Sequence, residues 1–181
     1  MPLIDHGHIH FGENKVQEAI EKWTNIKKTH LNIKLHMIGK LQSNKVKYVI
    51  PLFDYIHSLD NLKLAEKISI EQSKKKNKPK IFIQVNIGEE TQKNGIYESD
   101  IGEFLTICNQ KYQLDIIGLM CIPPNDDKTD LYFKKMLSIN KKLNLTHLSM
   151  GMSQDYILAI KNNSTFIRVG SSIFGERVIK F

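Results

Sequence analysis

Residues 80–87 read KIFIQVNI. Ile81, Phe82, Ile83, Val85 and Ile87 would project to both sides of an extended chain. A strand apolar on both faces is one covered on both faces, the property of a parallel sheet flanked by helices. IIGLMCIPP (116–124) repeats the pattern and is stopped by Pro123 and Pro124. Outward from these two strands, helical and extended patterns alternate in both directions. Upstream, Asp60-Asn61 opens a helix to about Lys76 with Leu62, Ala65 and Ile68 inward. Before it come a strand near Tyr55–Ser58, a short helical stretch at Asn44–Val49 and a strand at Lys34–Ile38. Asn14–Lys28 carries Val16, Ala19, Ile20, Trp23 and Ile26 at helical spacing. Downstream, Ser99 is expected to cap a helix through Asn109. After 116–124 follow a helix from about Asp127 to Lys142, strand His147–Met150, a helix over Ser153–Asn162 and strand Phe166–Val169. The chain opens on Pro2–Gly7, which reads as the last turn of a helix with Gly7 as its left-handed stop, and then a strand at His8–Phe11.

Strands alternating with helices imply a parallel sheet with right-handed crossovers. An open doubly wound sheet is one solution, but Gly7 and Gly12 do not make the dinucleotide fingerprint after the first strand. A (β/α)8 barrel needs eight strands, and a crossover unit needs at least ~10–12 residues. Only seven residues precede the first strand, and seven strands are visible. The expectation is therefore an α/β fold of the (β/α)8 TIM-barrel type lacking its first strand. It would be a single domain over 1–181, incomplete at its amino end.

Composition narrows function. No apolar run approaches the ~20 residues that cross a bilayer, and no part of the sequence is expected to be a signal peptide. Cys108 and Cys121 lie in apolar patterns and read as buried free thiols of a reducing cytoplasm. The net charge of +7 could suggest nucleic acid, but of 26 basic residues 24 are lysines spread over polar helix faces. The dense run Lys74–Lys80 has no interleaved aromatic to stack on bases and reads as a solvated loop. The two arginines, Arg168 and Arg177, both fall in RVGSSIFGER. A planar guanidinium fork suits a ring-nitrogen or bidentate site that lysine cannot serve.

In such barrels the active site lies at the carboxyl ends of the strands, and phosphate is often held after strands seven and eight. The last two strands here both end in phosphate-compatible sequence. HLSMGMSQD offers Ser149 at a strand end, Gly151 in the turn and Ser153 at a helix N-cap. FIRVGSSIFGER offers Arg168, then Gly170, Ser171 and Ser172. Small residues let backbone N–H groups approach a phosphate, and hydroxyls donate to it.

The blocks FGENKVQEA, HMIGKLQSNK, HSLD, QVNIGEETQKNG, GLMCIPP, LSMGMSQD and STFIRVGSSIFGER resemble, in order and with the right gaps from Gly7 to Arg177, those of the pyridoxal-phosphate homeostasis proteins. These are single-domain relatives of the alanine racemase N-terminal barrel. The resemblance implies binding of pyridoxal 5′-phosphate (PLP), buffering and delivery of it to PLP-dependent apoenzymes, and no robust catalytic activity. It places Ser149, Gly170 and Ser171 on the phosphate and Arg168 against the pyridine nitrogen, with Asn14 and Met150 lining the pocket. By residue type alone, Asn14 could equally be a helix cap and Met150 a core residue. The family's covalent lysine lies on the first barrel strand, in an A-V-S-K-like segment that has no counterpart here. Lys15, Lys40 and Lys45 match other blocks, so binding is expected to be weak and non-covalent. Two rival readings compete. His8 and His10, with His36 and His57, suggest a metal-dependent barrel hydrolase, against histidines facing outward or packed under helices. An amino-acid racemase would need a tyrosine from a second, β-rich domain.

Overall fold

The computed structural model describes residues 2–75 and 77–175, so Arg177 lies outside the described residues. The elements run α1 (Pro2–Asp5), β1 (His10–Glu13), α2 (Val16–Thr29), β2 (Lys34–Met37), α3 (Val46–Val49), β3 (Tyr55–Leu59), α4 (Leu62–Ser73) and β4 (Lys80–Val85). They continue as α5 (Ile101–Gln110), β5 (Ile116–Cys121), α6 (Thr129–Lys142), β6 (His147–Met152), α7 (Tyr156–Lys161), β7 (Phe166–Arg168) and α8 (Ser171–Phe174). The strands form one sheet in sequence order, every neighbouring pair parallel.

The sheet curls into a nearly closed barrel of the TIM type. Phe166 on β7 shows this directly: its ring centroid lies 6.0 Å from His10 on β1, 5.5 Å from His36 on β2 and 5.6 Å from Tyr55 on β3. It is also 5.6 Å from Phe82 on β4 and 5.6 Å from His147 on β6. One ring can meet rings from five other strands only inside a curled sheet. Alternation then assigns the faces. His36, Tyr55, His57, Phe82, Ser149 and Arg168 point in, while Leu35, Ile56, Ile83, Leu119, Leu148 and Met150 point out into the core beneath the helices. Gly118 is an inward position on β5 where a Cβ would meet the His147 carbonyl oxygen at 2.0 Å, so β5 and β6 touch there only because it has no side chain. β1 and β7 are the sheet's edges, and exposed His10, Gly12 and Ile167 mark them.

Several sequence expectations shift. β1 is His10–Glu13 rather than His8–Phe11. Its outward residues dock α2: Phe11 lies 4.8 Å from the Trp23 ring, and Trp23 Nε1–H donates to Glu13 Oε1 at 2.6 Å. β5 ends at Cys121, before the prolines. Ser99 is not a cap; it sits in a 3-10 turn, Glu98–Asp100, and its hydroxyl donates to Asp100. Asn61 does cap α4, its Oδ1 accepting from Leu64 N–H at 2.8 Å. Asn61→Ala should therefore lower the unfolding free energy by about 1 kcal/mol, read from the urea midpoint.

Candidate functional site

Ser149 and Arg168 meet at the carboxyl end of the barrel interior. Arg168 Nη1–H donates to Ser149 Oγ at 2.6 Å and Nη2–H to the Cys121 carbonyl at 2.8 Å. Burial pulls the arginine's pKa below its usual value, but a guanidinium keeps its charge. Its partners here are a hydroxyl and a carbonyl, which use two of five N–H donors and neutralise none of the charge.

Two residues further along the chain, Gly170 N–H and Ser172 N–H both point at Ser153 Oγ, at 3.3 and 3.4 Å. Ser153 is thus no helix cap, since α7 begins only at Tyr156. It plugs a pair of backbone donors on the neighbouring loop. Gly151 makes the loop possible: its φ is +94°, and a Cβ would come within 2.5 Å of Ala159 Cβ. Asp155 Oδ1 then accepts from Met152 N–H at 2.6 Å and pins the turn. Gly170 and Ser171 are exposed, with open space around a Cβ built at Gly170.

The remaining expected residues stand apart. Asn14 is exposed at the end of β1, and the cap position of α2 is Lys15, which makes no side-chain capping bond. Met150 is fully buried in the core beneath the helices. Lys40 is exposed, and Lys15 pairs with Glu18 at 2.7 Å. A surface hollow of about 320 Å³ between α4 and α5, lined by Leu62, Phe104 and Ile107, contains none of these residues.

Three of the four histidines considered as metal ligands, His10, His36 and His57, are neither outward nor under helices. His10, His36 and His57 face into the barrel and bond one another in series: His10 Nδ1 to His36 Nε2 at 2.9 Å, and His36 Nδ1 to His57 Nε2 at 2.9 Å. His57 Nδ1 continues to Ser149 Oγ at 2.8 Å. Rings bonded nitrogen to nitrogen do not converge on a common point, and no metal-holding group of three ligands occurs among the described residues. His8 precedes β1, exposed, edge-on to Phe11 at 5.0 Å. Burial, and next the neighbouring His10, push the His36 pKa down to about 3. Burial takes His57 well below the usual histidine value. Both cysteine thiols are pushed up to about 12 by burial, so neither is a reactive thiolate. Sequence reading missed Ser153 as a partner of Gly170 and Ser172, and it missed the histidine series. Both depend on contacts between strands that spacing does not disclose.

Comparison with known proteins agrees with this architecture. Residues 1–178 match the family described as alanine racemase, N-terminal domain. The pyridoxal phosphate homeostasis protein of Aquifex aeolicus is 37% identical over 176 residues, covering 92% of this chain and 76% of that protein. The structure of PipY from Synechococcus elongatus without PLP superimposes with a TM-score of 0.89 at 35% identity, covering 96% of this chain and 85% of that one. The same protein with PLP bound gives a TM-score of 0.87, again at 35% identity and the same coverage. With matches of that extent laid over a nearly closed parallel barrel, the chain belongs to the alanine racemase N-terminal domain family, in the group of pyridoxal phosphate homeostasis proteins.

Proposed function

We propose that this chain binds pyridoxal 5′-phosphate reversibly at the carboxyl ends of β6 and β7 and serves to hold and hand on that cofactor. The observation that carries the reading is the pairing of two unlike donor sets a few residues apart. Gly170 and Ser172 present backbone N–H groups whose bonds to Ser153 are long, so an anionic oxygen would be a better acceptor. Arg168 presents a half-buried cation whose hydrogen-bond partners are neutral. A phosphorylated pyridine has both complements, a dianion and a ring nitrogen that accepts. The residues fit the group. The name of the Aquifex relative and the PLP-bound PipY structure support the same ligand.

In this reading Gly170, Ser171 and Ser172 hold the phosphate with Ser153, while Arg168 faces the ring nitrogen. Ser149 steadies Arg168 from below. Asn14 stands at the rim, and Met150 supports the floor from the core. When bound, PLP supplies an aldehyde and an electron-withdrawing ring, and an arginine at the ring nitrogen weakens the second of these. That suits a carrier, not an enzyme, with PLP-dependent apoenzymes as recipients. No helix among the described residues is long and apolar enough to cross a membrane. Buried reduced Cys108 and Cys121 suit a cytoplasmic setting.

Titration with PLP, followed by ring absorbance and then dialysis, tests the proposal. Saturable binding that dialysis reverses is expected, with no adduct fixed to the chain by borohydride. Arg168→Lys should weaken binding by roughly 10- to 100-fold, the worth of a charge-assisted hydrogen bond. No saturable binding would overturn the function, and unchanged affinity in Arg168→Lys would overturn the ring contact.

A further inference from the structure

The histidine series climbs the barrel. The β1–β2 register sets His36 level with Gly12, two residues beyond His10, and the β2–β3 register sets Tyr55 level with His36, so His57 lies two residues further again. The three rings step from the amino-terminal floor, where His10 is exposed, to Ser149 and Arg168 at the carboxyl end.

Donor chemistry favours one direction for the bonds in this series. A guanidinium can only donate, so Ser149 Oγ accepts from Arg168. The hydroxyl hydrogen of Ser149 then has His57 Nδ1, at 2.8 Å, as its acceptor. A neutral imidazole that accepts at Nδ1 carries its hydrogen at Nε2. His57 Nε2–H therefore donates to His36 Nδ1, and His36 Nε2–H donates to His10 Nδ1. The opposite order would set two donors, His57 and Arg168, against one serine oxygen and leave the serine hydrogen without its acceptor. A hydroxyl that donates on one side accepts more strongly on the other, so the ordered series tightens the Arg168 contact.

We propose that His57 and His36 are positioning residues for Arg168, setting the direction of the hydrogen bond at Ser149 and so holding the guanidinium in place for its ligand. The ligand part of this rests on the PLP reading above; the ordering of the series does not. The surroundings keep the inner rings neutral. His36 is stacked on Tyr55 at 4.2 Å and His57 on Phe82 at 4.3 Å. The charged and titratable groups acting on them are His10, Asp54 and Lys27 at His36, and His36 and Arg168 at His57. His10 in turn feels His8, Lys34 and Asp54. Asp54 is the one carboxylate in that set, and it is held by Lys27 at 2.6 Å and by Leu35 N–H at 2.8 Å.

Nitrogen-15 NMR of the histidine rings in the ligand-free chain reads the ordering directly. His36 and His57 should appear as neutral rings protonated at Nε2 at pH 7. Ser149→Ala, which removes the donor to His57 Nδ1, should shift both rings toward a mixture of the two neutral forms. Rings protonated at Nδ1, or a His57 signal unmoved by Ser149→Ala, would overturn the proposal. The second arm is PLP affinity. His57→Gln can still accept from Ser149 and donate to His36, and should stay within about threefold of the parent. His57→Leu, which can do neither, should bind at least about tenfold more weakly. Equal losses in both variants would show a packing role only and overturn the proposal. Ordered rings in a chain that fails to bind PLP would confirm the series and refute the ligand.

Discussion

Lowering the pH from 7 to 5 should remove about 2 kcal/mol from the unfolding free energy through His36, with a further loss in the same direction through His57. In the unfolded chain both rings titrate near the ordinary value of about 6.5. In the folded barrel burial and the neighbouring rings keep His36 neutral down to about 3, and burial first, with its neighbours His36 and Arg168, holds His57 well below its usual value. Between those limits the unfolded state binds more protons, so stability rises with pH, is in full supply above about 6.5 and falls as the solution is acidified. For a domain whose total stability is of the order of 5–15 kcal/mol, this is a large share. Urea titrations at pH 7, 6 and 5 measure it. Midpoints that do not change across that range would show that the two rings are not held neutral inside the barrel.

The second large effect is expected at Phe82. Its side chain is fully buried, stacked on His57 at 4.3 Å and edge-on to Phe166 at 5.6 Å. It lies inside the barrel, apart from the larger core beneath the helices, so no neighbouring helix can slide in to fill the space. Phe82→Ala should cost about 3–5 kcal/mol and lower Tm by roughly 10 °C. The cavity would also admit water beside His57, moving its pKa back toward the ordinary value and flattening the acid dependence described above. Phe82→Leu, which keeps most of the volume, should show about half the loss or less. A loss under about 1 kcal/mol for the alanine variant would mean that the interior is not packed around this ring.

The inner strands were the legible part of the fold. KIFIQVNI became β4 and IIGLMCIPP became β5 because strands buried on both faces advertise it in composition. β1 was misplaced by two residues because an edge strand with an exposed inner face carries no such signature, only His10 and Gly12. The start of α4 at Asp60-Asn61 is legible because the Asn61 bond that caps it reaches only three residues along its own chain. Ser99 is misread for a local reason, since the 3-10 turn Glu98–Asp100 precedes α5 and its hydroxyl turns to the adjacent Asp100. Ser153 is misread because tertiary structure chooses its partners, across 17 and 19 residues. At the site, glycines and serines after two successive strands were enough to locate the loops. The ordering of His36, His57, Ser149 and Arg168 was not legible, since its links span 21, 92 and 19 residues and appear only once the sheet has curled.

The most direct test of the whole account is the structure of this chain crystallised with saturating pyridoxal 5′-phosphate. The phosphate should rest on the N–H groups of Gly170 and Ser172, with the ring nitrogen turned to Arg168 and the guanidinium still bonded to Ser149. Density for the ligand elsewhere, or an empty loop pair beside an arginine turned away from the barrel mouth, would contradict it.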